Sequence, residues 1–235
     1  MRVAAWGLAA IVAAVALALR AAAQADEANP FPSPSPEVSA APGSGGYAVI
    51  GVAALSANGG QMPGAGATAT PASFRAASAS GYSVELMGRL SPSYVSLLRF
   101  EDANLHGGDS SVESRFDLAL LYQFRSKATA VGIGYASLQR STLQSSINGL
   151  GAGVAILPQF DRRVSLYGSF FYYPGLSAPS GTRGGLTVLR LGITVTPQKT
   201  TGFFGRIGVT SQSFGAATFS PTSLSGVEIG VGTDF

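Results

Sequence analysis

The 235-residue chain contains no cysteine and one histidine, His106. Without cysteine there is no disulfide framework, so the fold holds without covalent staples. A single histidine makes no zinc-type ligand set, and the dispersed acids match no calcium-loop spacing. No metal and no cofactor is expected. Charge is scarce: 11% of residues are charged, against about 25% in an ordinary soluble domain. No basic patch interleaved with aromatics is present, which argues against a nucleic-acid partner. Past the leader, no stretch approaches the roughly twenty consecutive apolar residues that a membrane helix needs.

What is present begins with that leader. MRVAAWGLAAIVAAVALALRAAAQA places Arg2 before an apolar core from Val3 to Leu19 and ends on Ala23-Gln24-Ala25, an A-x-A cleavage pattern. This reads as a signal peptide, residues 1–25, cut after about Ala25, in preference to a single membrane anchor. Loss of Arg2 and Arg20 with it lowers the 15 basic residues to 13, against 12 acidic ones, so the high pI carries no meaning for partners. Residues 26–46, with five prolines among Ser and Gly, cannot build a core and read as an extended tether. The folded body is assigned to residues 47–235.

Along that body the dominant period is two. In SRFDLALLYQF, Phe116, Leu118, Leu120, Tyr122 and Phe124 share one face, opposite Arg115, Asp117, Ala119 and Gln123. In RVSLYGSFFYY, Val164, Leu166, Phe170 and Tyr172 oppose Ser165, Tyr167, Ser169 and Phe171. Ten strands are expected, near 47–56, 81–90, 93–103, 112–124, 128–140, 146–157, 163–174, 185–196, 202–213 and 223–235. Counts of eight or twelve stay open, because 57–80 has room for a strand pair. Short breaks (91–93, 125–127, 158–162, 197–201) alternate with longer ones (103–111, 141–146, 176–184, 214–223), the pattern of an up-and-down meander. An even count puts both chain ends on the short-turn side, as in a bacterial outer-membrane barrel. A soluble barrel would place polar residues outside. Here the face opposite the apolar one is mostly Gly, Ala, Ser and Thr, sparse cover for a water-facing exterior and suited to a narrow lumen.

With the apolar faces on lipid, the charges point inward. A turn centred at Pro92 sets Glu85 opposite Arg99, and a loop centred near Gly108 sets Arg99 opposite Asp117 and Glu101 opposite Arg115. A turn centred at Gln198 sets Arg190 opposite Arg206, and a loop near Ala217 sets Arg206 opposite Glu228. Charges in a narrow, partly dry lumen are costly unless paired, so these rows read as ion pairs that plug it, with a lined solute path as the alternative.

Catalytic signals are thin. His106 has Asp109, Ser110 and Ser111 nearby in sequence, and some barrel enzymes acting on lipid A use a His and a Ser near the outer rim. Sequence neighbours do not make a base and nucleophile converge. The omptin-type Asp-Asp and Asp-His motifs are missing. The glycine pairs of GIG (132–134) and GLGAG (149–153) lie in period-two strands without the helix that a nucleotide fingerprint requires. Arg125, Lys127, Arg162, Arg163 and Lys199 fall in or beside short turns, solvated or near anionic head groups. Tyr122, Phe124, Tyr172, Phe203 and Phe235 sit where an aromatic girdle belongs.

With its terminal GVEIGVGTDF, the chain resembles bacterial outer-membrane β-barrel proteins over roughly Tyr47 to Phe235. That resemblance implies that Phe235, with Val231, Ile229 and Val227 on the same face, is the signal read by the barrel assembly machinery. The segment VSLYGSFFYYPGLS (164–177) and the Gly-alternating last strand are similar to the YfaZ-type family of small barrels. The expectation is an all-β, non-enzymatic transmembrane barrel of the outer membrane. Its partners would be lipid, the assembly machinery, and solutes or surface ligands met by the loops. A narrow passive channel is the second reading and a rim enzyme on lipid the third.

Overall fold

The computed structural model describes residues 45–58, 61–62, 72–73, 77–106, 111–124, 128–140, 146–177, 183–197, 202–216 and 219–235. The signal peptide and residues 26–44 of the tether lie outside them. The strands are β1 (Gly46–Asn58), β2 (Gln61–Met62), β3 (Ala72–Ser73), β4 (Ala77–Ser91), β5 (Tyr94–His106), β6 (Ser111–Gln123), β7 (Thr129–Arg140), β8 (Ile147–Ile156), β9 (Val164–Ser177), β10 (Arg183–Val195), β11 (Phe203–Ala216) and β12 (Phe219–Asp234). Ten of them, β1 and β4 to β12, close into an antiparallel up-and-down barrel, while β2 and β3 form a separate two-stranded ladder. Closure falls on β1, which pairs with β12 on one side and β4 on the other.

The outward faces follow from the period. Ile50, Val52, Leu90, Ile133, Leu150, Val154, Leu166, Leu191, Val209, Ile229 and Val231 are all exposed, and comparable side chains occupy the outward positions of every other barrel strand. A continuous exposed apolar belt of this kind has no place on a water-soluble exterior. It covers about four outward positions per strand, or roughly 20 Å at about 3.3 Å per residue and a tilt near 40°.

Above the belt, at the end remote from the start of β1, the same strands continue with their polarity largely reversed. Outward positions there are mostly polar, Ser56, Ser80, Asn104, His106, Gln139, Ser177 and Ser213, all exposed, with Val112 opposite Asn104 an apolar exception. Inward positions are Leu55, Ala79, Ala103, Leu138, Ile147, Leu176, Leu186, Phe214 and Leu224, all buried. This collar corrects the expected loop lengths. Residues 103–106, 176–177, 183–184, 214–216 and 219–223 belong to strands, because their inward apolar side chains pack and carry the ladder upward. Connections at this end are therefore as short as those at the other, apart from 59–76. The expectation of uniformly longer loops there does not hold.

One irregularity shapes the wall. Opposite Pro174 and Gly175 the pairing of β9 shifts against both β8 and β10. Proline has no N–H to donate, and one extra residue there returns Leu176 to the inside.

Candidate functional site

The lumen is layered. Its floor, at the end where β1 begins and β12 ends, is apolar: Met87, Val95, Leu97, Leu121 and Leu157 are buried there with Tyr47 and Phe204. Phe160, from the connection between β8 and β9, turns inward and packs its ring 4.7 Å from Phe204 and 5.7 Å from Tyr47. That connection is held by Gln159 N donating to Ser165 Oγ (3.1 Å) and Thr196 N donating to the Arg163 carbonyl (2.9 Å). The roof is the apolar collar. Between the two lie the charges.

Four of those charges form a closed ring. Arg99 Nη1 meets Glu85 Oε2 at 2.9 Å and Arg99 Nη2 meets Glu228 Oε2 at 2.6 Å. Arg206 Nη1 meets Glu85 Oε1 at 2.7 Å and Arg206 Nη2 meets Glu228 Oε1 at 2.7 Å. Each guanidinium bridges two carboxylates and each carboxylate bridges two guanidiniums, so the four charge-assisted bonds close on one another. Tyr47 Oη donates to Glu85 at 2.8 Å and Ser83 Oγ donates to Glu228 at 3.1 Å. β1 passes beneath the ring at Gly51, where a Cβ would lie 2.9 Å from Glu228 Oε1.

A second tier is built on Glu101, whose Oε2 is met by Arg115 at 2.8 Å and by Arg99 and Arg190 at 3.3 Å each. Arg115 Nε also donates to Asp117 at 2.8 Å. Gln212 accepts from Arg115 and donates to Glu113. Around the ten-stranded wall, β11 lies five strands from β6, and β10 lies five strands from β5. The Arg115–Gln212 and Arg190–Glu101 contacts therefore cross the full lumen. All these charged side chains are buried or nearly so.

Glycines serve the ring systems of β9. Tyr167 lies over Gly192 and Gly208, its ring 4.5 Å beneath the Arg206 guanidinium carbon. Phe171 and Tyr173 rest against Gly153 and Gly151. The GLGAG segment thus provides aromatic slots in a sheet.

All eight charged residues expected in the lumen, Glu85, Arg99, Glu101, Arg115, Asp117, Arg190, Arg206 and Glu228, join one network. In register, Glu85 stands opposite Arg99, Arg99 opposite Asp117, and Glu101 opposite Arg115. Two expected rows are corrected. Arg190 stands opposite Thr210, and Arg206 opposite Thr194 and Gly230. The turn between β10 and β11 is centred on residue 200, with Gly202 at φ 65°. This keeps like charges from standing face to face, which destabilises a sheet. Glu228 stands opposite Gly208 and reaches Arg206 diagonally. Sequence reading missed Tyr47, Ser83 and Gln212, because neutral polar side chains carry no sign to match across strands, and it missed Glu113, which faces uncharged Ala103 on β5.

His106 lies on the outward face of the collar, its Nε2 3.1 Å from Ser80 Oγ. Asp109 and Ser110 lie outside the described residues, and nothing is described of the Ser111 side chain. Val227, Ile229, Val231 and Phe235 all face outward and are exposed. Among the rim cations, Arg162 and Arg163 are exposed; Arg125, Lys127 and Lys199 are outside the described residues.

The Tyr47 hydroxyl gives a direct measure of the ring. Tyr47→Phe keeps the floor packing and removes one hydrogen bond to a charged acceptor, and should cost about 1.5–3 kcal/mol. The shift of the urea midpoint of the refolded barrel reads it.

No protein-family model matches the chain, and no curated protein does. Among solved structures, Neisserial surface protein A is similar over 82% of this chain and 98% of its own, at 12% identity and TM-score 0.43. An outer membrane channel from Pseudomonas putida F1 is similar over 86% of this chain and 100% of its own, at 10% identity and TM-score 0.43. The translocator domain of the autotransporter NalP from Neisseria meningitidis is similar over 97% and 98%, at 11% identity and TM-score 0.35.

Proposed function

We propose that this is a non-enzymatic barrel of the bacterial outer membrane whose lumen is sealed and whose working surface is its exterior. The observation that carries the sealed lumen is the charge network with two contacts reaching fully across it, closed below by the Phe160 floor. A solute path needs a continuous polar opening, and here two contacts cross the charge layer while Tyr47, Phe160 and Phe204 pack together below it. The exposed apolar belt supports the lipid setting, with the end where β1 begins and β12 ends toward the periplasm. Phe235 is then the assembly address, and lipid and the assembly machinery are the partners. The likeness to YfaZ-type barrels rests on the aromatics of β9, which serve the packing of this lumen.

In planar bilayers the refolded protein should show no unitary conductance. Regular openings of the unaltered protein would favour the passive channel and sink the sealed reading. Its gel mobility should shift on boiling; a soluble periplasmic fraction with no such shift would remove the membrane assignment altogether.

A further inference from the structure

Among the barrel strands, β1 is the one whose register no short connection sets. It reaches β4 through the long connection 59–76, and it meets β12 with the rest of the barrel between them in sequence. Its sequence, GYAVIGVAALSAN, carries no charge. A slip of two residues keeps every side chain on its own face, so the alternation of β1 tolerates it. Outside, Ile50, Val52 and Ala54 would only exchange places.

The ion ring stands over this strand. Around the wall the order is β11, β12, β1, β4, β5. Arg206 of β11 bonds Glu85 of β4, and Arg99 of β5 bonds Glu228 of β12. Two of the four pairs therefore cross from one side of β1 to the other, and β1 itself supplies no member of the ring. Beneath them lies Gly51. A Cβ there would fall 2.9 Å from Glu228 Oε1, 2.9 Å from Ser83 Oγ and 3.3 Å from the Ile229 carbonyl oxygen. The inward positions of β1 are Tyr47, Val49, Gly51, Ala53, Leu55 and Ala57, and glycine occurs at one of them. A two-residue slip in either direction would bring Val49 or Ala53 under the ring. It would also carry the Tyr47 hydroxyl away from Glu85, to which it donates at 2.8 Å.

We propose that the ring is a register key for closure of the barrel. It clasps β4 and β5 to β11 and β12 across β1, and it admits β1 only with Gly51 beneath it. Fixing a register is the best attested use of a buried polar group that adds little net stability. The ring does for the closing seam what short turns do for the other strand pairs. This goes beyond the sealed lumen, which needs the charges only to fill space.

Cross-strand disulfides read the register, and the chain has no cysteine of its own. Ala54 stands opposite Val227, and both are exposed on the outward face. A slip that sets residue 53 under the ring brings Ser56 opposite Val227, and the reverse slip brings Val52 there. The pairs Ala54→Cys/Val227→Cys, Ser56→Cys/Val227→Cys and Val52→Cys/Val227→Cys are refolded and oxidised, with closure checked by gel mobility. In the otherwise unaltered chain only the first should cross-link. Moving the glycine by two residues, Gly51→Val/Ala53→Gly, should transfer cross-linking to the 56–227 pair. Persistence of the 54–227 product alone would overturn the proposal. Should the moved glycine prevent closure, a neutral ring decides: Glu85→Gln/Arg99→Met/Arg206→Met/Glu228→Gln. The shifted products should then rise about tenfold or more relative to the native one, because nothing selects against the slipped pairings. Glu101→Gln/Arg115→Met, which leaves the ring whole, should keep the native pair alone. A neutral ring with a single native register, or equal scrambling in the two backgrounds, would reject the key. Conductance is measured separately, so a conducting barrel in native register would remove the sealed reading and leave the key standing.

Discussion

Arg99→Ala should be the most damaging single substitution in the lumen and should open it. Arg99 bonds Glu85 and Glu228 at 2.9 and 2.6 Å and also meets Glu101 at 3.3 Å. Its removal leaves three buried carboxylates each short of a partner. Breaking a buried pair from one side costs about 3–5 kcal/mol, because the remaining charge is left uncompensated in a medium that solvates it poorly. The urea midpoint should fall accordingly, and unitary openings should appear in planar bilayers where the unaltered protein is silent. Glu228 removed along with Arg99 leaves the lumen without that excess of negative charge. The double variant Arg99→Ala/Glu228→Gln should therefore recover part of the stability while staying open. A double variant as unstable as the two single losses added together would show that the residues do not act as a unit.

The second large effect concerns the end of the chain. Phe235 N donates to the Gly46 carbonyl at 3.0 Å and Gly46 N donates to the Phe235 carbonyl at 2.9 Å. This reciprocal pair is the last of the closing seam, and the Phe235 ring lies so close to Gly46 that a Cβ there would fall 2.8 Å from it. Deletion of Phe235 removes that pair, an exposed aromatic at the belt edge, and the residue at which the chain stops. Most of the truncated protein should fail to reach the heat-modifiable form in cells, while refolding from urea into detergent still yields barrels. Normal insertion in cells would contradict the proposed role of Phe235 as an assembly address. Failure in both settings would make it a seam residue alone.

Much of the architecture is readable from alternation, because side chains inside and outside the belt face such different surroundings that a one-residue slip would exchange every side chain between lipid and lumen. The rows on β4, β5 and β6 are readable because the register is centred where the break in pattern places it, at residues 92 and 108. The rows on β10, β11 and β12 are less so. The connections at 196–202 and 217–218 displace register by even numbers of residues, which preserves the face and leaves the hydrophobic pattern unchanged. Pattern alone cannot detect such a slip; the avoidance of Arg190 facing Arg206 can. The ends of the strands were hidden by another effect. Above the belt the outward residues become Ser, Asn and His and the inward ones Ala and Leu, so a rule that expects apolar residues outside reads the collar as loop.

That reversal bears on how the barrel holds its position. Below the boundary, the strands gain by placing their outer faces in hydrocarbon. Above it, they gain by placing Leu138, Ile147, Leu176, Leu186 and Phe214 in a common core surrounded by water. The collar core rewards only the part of the chain that has emerged on the far side, and its rim of Ser and Asn resists being drawn back into lipid. The molecule thus carries a one-way catch: passage outward lets the core form, and return requires breaking it. In the proposed membrane setting, depth is set by where two folding rules meet along each strand.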